Sequence, residues 1–274
     1  MNKLKQISIY PIKSCSGINL EHAKVEDRGF PFDRRWMLIE ENGDFVSQRK
    51  SPTLSLFKIS VGTDNLRITY PGLKPHSFPL DSKSNSQIKA HIWKDSVRSH
   101  LVSAISDQWF SEALDRKVRL VYMDDTVIRP LEKEQLPGDQ SFEVSFADGY
   151  PYLLTNQASL DDLNHRLDVP IRMDRFRANL VVSGAEAFAE DHWKRIRIGE
   201  VEFMVVKPCA RCQVTTIDQK TGKSSKEPLK TLASYRKQDD QVMFGMNLVA
   251  LNSGRIKVDS PVRILEENSG PTHH

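Results

Sequence analysis

Apolar and polar residues alternate from the start of the chain, with Ile7 and Ile9 separated by Ser8 ahead of the stretch YPIKSCSG. A two-residue period predicts a strand with one face buried. Trp36–Ile39, then Asn42-Gly43, then Phe45 and Val46 predict a hairpin, since Asn-Gly supplies the left-handed conformations of a tight turn. Phe57, Ile59 and Val61, a turn at Asp64-Asn65, and Leu66, Ile68 and Tyr70 predict a second hairpin, and Pro71, Pro75 and Pro79 a loop after it. Residues 99–114 fit a helical stripe through Leu101, Ile105 and Leu114. Residues 121–150, with scattered Pro and Gly, predict an irregular segment over the surface.

Regular patterning resumes at YLLTNQASLDDLNHRL, a strand followed by a helix. Ser159 with Asp162 approximates a capping box there, and Leu160, Leu163 and Leu167 share one face. RFRANLVVSG predicts a buried strand behind an arginine-rich entrance, and WKRIRIGEVEFMVVK a hairpin turning at Gly199-Glu200. QVTTID, with its β-branched residues, predicts a strand that turns over 218–222. Lys226–Arg236 is a short helix, and MFGMNLVAL and SPVRIL are closing strands. Many strands, few helices and no regular βαβ alternation predict a mainly β fold, with β-barrel architecture and peripheral helices.

The chain has 274 residues, enough for one large domain or two of ordinary size. Its 39% hydrophobic and 27% charged content is that of a globular protein. A net charge of +3, with no run of five like charges, gives no reason to expect a nucleic acid partner. No apolar stretch reaches the length of a membrane span. The N-terminus enters a strand pattern directly, without a signal-peptide core, and the cytoplasm is the expected compartment. Three cysteines do not make a disulfide framework, so free thiols are expected. The final NSGPTHH is expected to be a loose tail.

Two of the three cysteines stand in KPCARCQVTTIDQKTG, residues 207–222. Cys209 and Cys212 are half of a zinc site, but no CxxH or HxxxH pair offers the other half. A redox dithiol wants a helix N-terminus, whereas this motif runs into β-branched residues. Two half-buried structural cysteines are the third alternative. Beside Cys212 stands Arg211, which in a strand would point to the opposite face. Elsewhere, basic residues cluster at strand starts: Lys13 with Ser14, Arg34 with Arg35, and Arg175 with Arg177. Together with a strand-borne thiol they suggest a site for a large anion and a soft metal.

These stretches carry a resemblance. YPIKSCSG, DRRWMLIEENGDFVSQR, LLTNQASLDDLN, FRANLVVSGAEAFAEDHW and CARCQVTTIDQKTG, in this order and over nearly the whole chain, are similar to the MOSC proteins. The resemblance is to the subgroup with an N-terminal β-barrel region, which includes the mitochondrial amidoxime-reducing components and bacterial reductases of N-hydroxylated compounds. It implies an N-terminal MOSC β-barrel region over 1–120 and a MOSC domain over 121–268. It also implies a molybdenum cofactor, a metal on a pterin dithiolene with a phosphate tail, with Cys212 as the protein ligand and Cys209 as a neighbour. Lys13, Ser14, Arg34, Arg177 and Asn179 fall at the family's cofactor contacts, and Asn179 is expected to share a strand face with Arg177. Thr155 and Ser159 are expected in a loop around the cofactor, and Gly245, Met246 and Asn247 to offer backbone contacts. Where relatives often read Pro, this chain reads Ala178.

The implied activity is reduction of small N-hydroxylated substrates to amines or amidines. Electrons would come from a separate flavin, iron–sulfur or haem protein. No iron–sulfur cluster of the chain's own and no pyridoxal phosphate are expected. The alternative is a carrier of molybdenum cofactor or sulfur that turns nothing over. A third possibility is a non-catalytic β-barrel interaction protein with structural cysteines.

Overall fold

The structure, a computed structural model, describes residues 1–131, 136 and 141–268. The expected tail from 269 onward, and 132–135 and 137–140 of the expected irregular segment, lie outside the described residues. The N-terminal half contains β1 (Lys3–Ile9), β2 (Ile18–Leu20), β3 (His22–Val25), β4 (Trp36–Ile39) and β5 (Lys58–Val61). It continues with β6 (Asn65–Thr69), β7 (His76–Pro79), β8 (Gln87–Ile92), β9 (Asp95–Leu101), α1 (Ala104–Leu114) and β10 (Arg119–Tyr122). The C-terminal half opens with β11 (Tyr152–Asn156), α2 (Gln157–His165), β12 (Leu180–Ser183), β13 (Trp193–Ile198) and β14 (Val201–Arg211). It closes with α3 (Leu229–Ala233), β15 (Lys237–Gln238), β16 (Gln241–Ala250), β17 (Gly254–Lys257) and β18 (Val262–Glu267).

The fold is mainly β. One nine-stranded sheet runs β18-β13-β14-β16-β11-β12-β1-β2, with β15 added on β16. It curls like part of a barrel, because its first strand returns toward its far side. The Leu4 amide donates to the Ser260 carbonyl and the Val262 amide to the Asn2 carbonyl, both at 2.9 Å. Alternate residues of these strands, among them Leu4, Ile7, Leu154, Leu180, Ile196, Phe203 and Leu248, fill the core inside the curl. Each such side chain contributes about 1.5–3 kcal/mol by leaving water. Thus β1 and β2, from the first 20 residues, belong to the sheet of the C-terminal half. The rest of the N-terminal half forms β4-β10-β9-β8 and β5-β6-β7. Their own core is centred on Trp36, Phe57, Ile68, Phe78 and Phe110.

Several local expectations change. The proline loop contains β7, whose Phe78 pairs with Leu66 and packs inward. Proline is tolerated because β7 is the outer strand of its sheet. The helix expected over 99–114 starts at Ala104, with Ser103 accepting from the Ser106 amide. Residues 99–101 instead end the β8–β9 hairpin, which lacks an Asn-Gly signal because its turn is Trp93-Lys94.

QVTT is a single 3₁₀ turn, not a strand. The Thr215 and Thr216 hydroxyls donate back to the Cys212 and Gln213 carbonyls at 3.0 and 2.7 Å, a local alternative to a β ladder. Segment 142–147 is irregular as expected but buried, not draped on the surface. Side chains satisfy its carbonyls: Arg129 donates to Ser145 and Ala147 at 2.9 and 2.6 Å, and Lys13 to Phe146 at 2.7 Å.

Candidate active site

A cleft of about 200 Å³ lies where the two halves meet. Of the residues singled out in the sequence, Lys13, Ser14, Arg34, Arg177, Asn179, Cys212 and Asn247 line it. They come from five places: the β1–β2 loop, the approach to β4, the approach to β12, the end of β14, and the middle of β16. Ser14, Arg34 and Arg177 all hold left-handed backbone, with φ of 70, 51 and 55°. Each such conformation in a non-glycine residue costs on the order of 1–3 kcal/mol and persists only where the surroundings fix it.

Those surroundings are a buried polar knot. Asn179 donates to the Ser8 carbonyl and to Asp33, both at 3.1 Å. Its side-chain oxygen accepts from Arg34 at 3.1 Å and from the Leu153 amide at 3.3 Å. Arg34 also pairs with Asp33 and donates to the Arg177 carbonyl at 3.2 Å. Arg177 donates to the Cys15 carbonyl at 2.6 Å. Both guanidiniums lie over Tyr10, at 4.6 and 4.3 Å from its ring centre. Arg177 and Asn179 therefore do not share a strand face, because Arg177 precedes β12 in a left-handed turn; Arg34 joins them instead.

Five cationic side chains, Lys13, Arg34, Arg49, Arg177 and Arg211, line the cleft against one carboxylate, Asp148. Burial pulls Arg177 down to about 10, with Arg34 pushing the same way. Burial likewise lowers Lys13 to about 8, against the pull of Asp148. Asp148 would be raised by desolvation, but its contact with Lys13 outweighs that and holds it below the usual carboxylate range. The Nε of Arg211 is buried without a partner. A wall of crowded cations with an unsatisfied donor is one that an anion would relieve.

The three thiols differ. Burial pushes Cys15 up to about 12, away from reactivity. Cys209 receives a contact from Arg211 at 3.0 Å, and Cys212 from Arg49 at 3.2 Å. Cys209, Ala210, Arg211 and Cys212 line the cleft in succession, so Arg211 and Cys212 are not parted onto opposite faces. The cause is a β-bulge at Pro208–Ala210, with the strand ending at Arg211. Among the described residues no group of three His, Cys, Asp or Glu is close enough to hold a metal by itself.

Thr155 and Ser159 lie apart from the cleft. They belong to β11 and α2, not to a loop. The Thr155 hydroxyl contacts the Met173 sulfur at 3.2 Å. Asn156, not Ser159, caps α2, and the buried Ser159 hydroxyl donates to Glu190 at 2.8 Å. Asn247 lines the cleft, with its side-chain amide donating to the Pro208 carbonyl at 3.3 Å and its backbone position paired with Leu153 and Lys207 on either side.

The pattern alone did not point to Arg49, Asp148 or Tyr150, which also line the cleft. Arg49 follows the first hairpin in an ordinary polar run, and Asp148-Gly149-Tyr150 looks like a surface turn. A usable signal was the compact charge set of SQRK beside a β-rich segment.

Residues 1–117 match the MOSC N-terminal beta barrel domain, and residues 141–263 match the MOSC domain. Over 277 residues the chain is 35% identical to mitochondrial amidoxime reducing component 2 of Rattus norvegicus, covering 94% of this chain and 82% of that protein. Identity is 33% over 280 residues with mitochondrial amidoxime-reducing component 1 of Homo sapiens, covering 95% and 82%. It is 35% over 271 residues with mitochondrial amidoxime-reducing component 1 of Danio rerio, covering 94% and 83%. With both matched regions in sequence and this level of identity over nearly its whole length, the chain belongs to the MOSC family of the mitochondrial amidoxime-reducing components.

Proposed function

We propose that the protein is a molybdenum-cofactor reductase of small N-hydroxylated compounds, with Cys212 as the one protein ligand of the metal. One observation carries this: a single cleft combines a reachable thiol at Cys212 with five cations, one of which has an unsatisfied buried donor. The donor set suits a pterin dithiolene with a phosphate tail. Such a cofactor brings two sulfurs, so one thiolate completes a soft ligand set, whereas a bare metal ion would need more protein ligands than the described residues group together. Arg34, Arg177 and Lys13 would meet the phosphate, and Ser14 and Asn247 the polar edges of the pterin. Asn179, its amide fully committed to Ser8, Asp33, Arg34 and Leu153, would hold Arg34 in place.

When bound, the cofactor would supply the two-electron redox chemistry. The chain's residues hold and orient. Backbone carbonyls and Asp33 fix Arg34 and Arg177 before any ligand arrives, which lowers the ordering cost of binding. The net reaction replaces an N–O bond by N–H, takes up two electrons and two protons, and releases water. The electrons would come from a separate protein carrying flavin, an iron–sulfur centre or haem. Among the described residues no helix is long and apolar enough to cross a membrane, and three free thiols suit a reducing compartment such as the cytoplasm.

The test compares wild type, Cys212→Ala and Cys209→Ser, made in a host that assembles the cofactor. Molybdenum content is measured, with hydroxylamine and amidoxime reduction by an artificial donor. Loss of both metal and turnover in Cys212→Ala, with Cys209→Ser retaining metal, is expected. Equal metal and activity in all three overturns the proposal, and metal bound through Cys212 without turnover identifies a carrier.

A further inference from the structure

The β8–β9 hairpin turns on Trp93 and Lys94. Tight two-residue turns favour Asn and Gly, because they need left-handed backbone. Trp93 holds φ 55° there, among the least suited residues for it. It is also 52% exposed, so burial does not explain its place. An outlier of this kind, held by specific contacts, points to function.

The contacts all lead to the cleft. The Trp93 Nε1–H donates to Asp148 at 3.1 Å. Its ring stands edge-on to Phe45 at 5.2 Å, and the Arg49 guanidinium lies 4.6 Å from its ring centre. Asp148, Phe45 and Arg49 each line the cleft. Arg49 in turn reaches the Cys212 sulfur at 3.2 Å. An exposed indole just outside the lining, a planar cation against it, and the candidate metal ligand therefore form one continuous row. Lys207 over Tyr150, at 5.3 Å from its ring centre, adds a further cation–aromatic pair beside the cleft.

We propose that Trp93 and Arg49 form the substrate-facing wall, Trp93 selecting flat, conjugated N-hydroxylated compounds and Arg49 receiving their N–O oxygen beside Cys212. This rests on the reductase assignment for the same cleft. A planar amidoxime matches both partners: its conjugated body stacks on an aromatic face, and its oxygen accepts from a guanidinium. An aliphatic analogue keeps the second contact and loses the first. Trp93 does not itself line the cleft but stands against Phe45, Arg49 and Asp148, which do, so it would meet the outward part of a bound substrate and act as a specificity-determining residue.

The test uses Trp93→Asn, because asparagine suits left-handed turns and removes the ring while keeping the hairpin. Direct binding of benzamidoxime and acetamidoxime to wild type and variant is measured by calorimetry, with molybdenum content and KM and kcat for both compounds. Wild type is expected to bind benzamidoxime more tightly than acetamidoxime. Trp93→Asn is expected to weaken benzamidoxime about tenfold and acetamidoxime less than twofold, with kcat and molybdenum content kept. Equal weakening of both compounds, no weakening of either, or no wild-type preference for benzamidoxime overturns the proposal. If molybdenum-loaded wild type turns over neither compound while the binding preference vanishes in Trp93→Asn, the selective wall stands and the reductase assignment falls.

Discussion

Glu190 carries a stability signature that one substitution should erase. It is fully buried, and Ser159 donates to its two oxygens at 2.8 and 3.0 Å. Burial raises its carboxyl from the ordinary 4.5 to about 7, with Asp191 adding to the rise and its hydrogen bonds opposing it. A raised folded-state value means that the native state favours the neutral acid. The associated stability is fully present below about 4.5 and is lost as pH rises through about 7. At about 1.4 kcal/mol per pH unit, that interval amounts to roughly 3 kcal/mol. Glu190→Gln keeps the shape and an acceptor for Ser159 but cannot ionise. Urea unfolding at about pH 5 and pH 8.5 should show the difference between variant and wild type moving by roughly 2–3 kcal/mol in the variant's favour at the higher pH. The same difference at both pH values would refute an uncharged, buried Glu190. Ser159→Ala should move the loss of stability to still higher pH, because it removes a hydrogen bond that favours the ionised form.

Other outcomes follow from the cleft and its wall. Arg177→Ala should lower molybdenum retention by roughly ten- to a hundredfold, the range for one charge-assisted contact, read by metal analysis after gel filtration. In native protein without cofactor at pH 8, iodoacetamide should modify Cys209 and Cys212 but reach buried Cys15 only after denaturation, as mass spectrometry would count. Arg129→Met should strip donors from the Ser145 and Ala147 carbonyls and speed hydrogen exchange across 142–148, at a stability cost of about 1–3 kcal/mol per unsatisfied group. Phe203→Ala, inside the main core, should cost about 3–5 kcal/mol without altering which thiols react.

The sequence was most legible where one face of a strand is buried. Ile7 and Ile9 and the hairpin at 193–207 show their two-residue period because one side meets the core, and β12 is a continuous apolar run because Leu180 and Val182 face one core and Val181 another. It was least legible where side chains replace ladder bonds. QVTT has strand composition, yet two threonine hydroxyls close it into a turn. Segment 142–147 reads FEVSFA, apolar enough to be buried, but it sits in a stretch broken by Pro and Gly, and Arg129 and Lys13 from elsewhere in the chain satisfy its carbonyls. Basic residues of the site stood out at strand starts, but Arg49 and Asp148 take their meaning from neighbours far away in sequence. Ser159 was drawn to the site by its motif; only the fold reveals that its hydroxyl is committed to Glu190.

The placement of β1 inside the C-terminal sheet also sets a schedule. Its partner β12 follows about 175 positions later, Ile7 pairing with Leu180. At about 5–20 residues per second, a ribosome delivers that partner roughly ten to thirty seconds after β1 emerges. One edge can take β2 soon after, but the edge that β12 will cover stays open on a strand carrying Leu4, Ile7 and Ile9, the condition that invites association between chains. β1 is thus made long before it is finished, and nascent-chain crowding or a missing chaperone should act on this protein through that open edge.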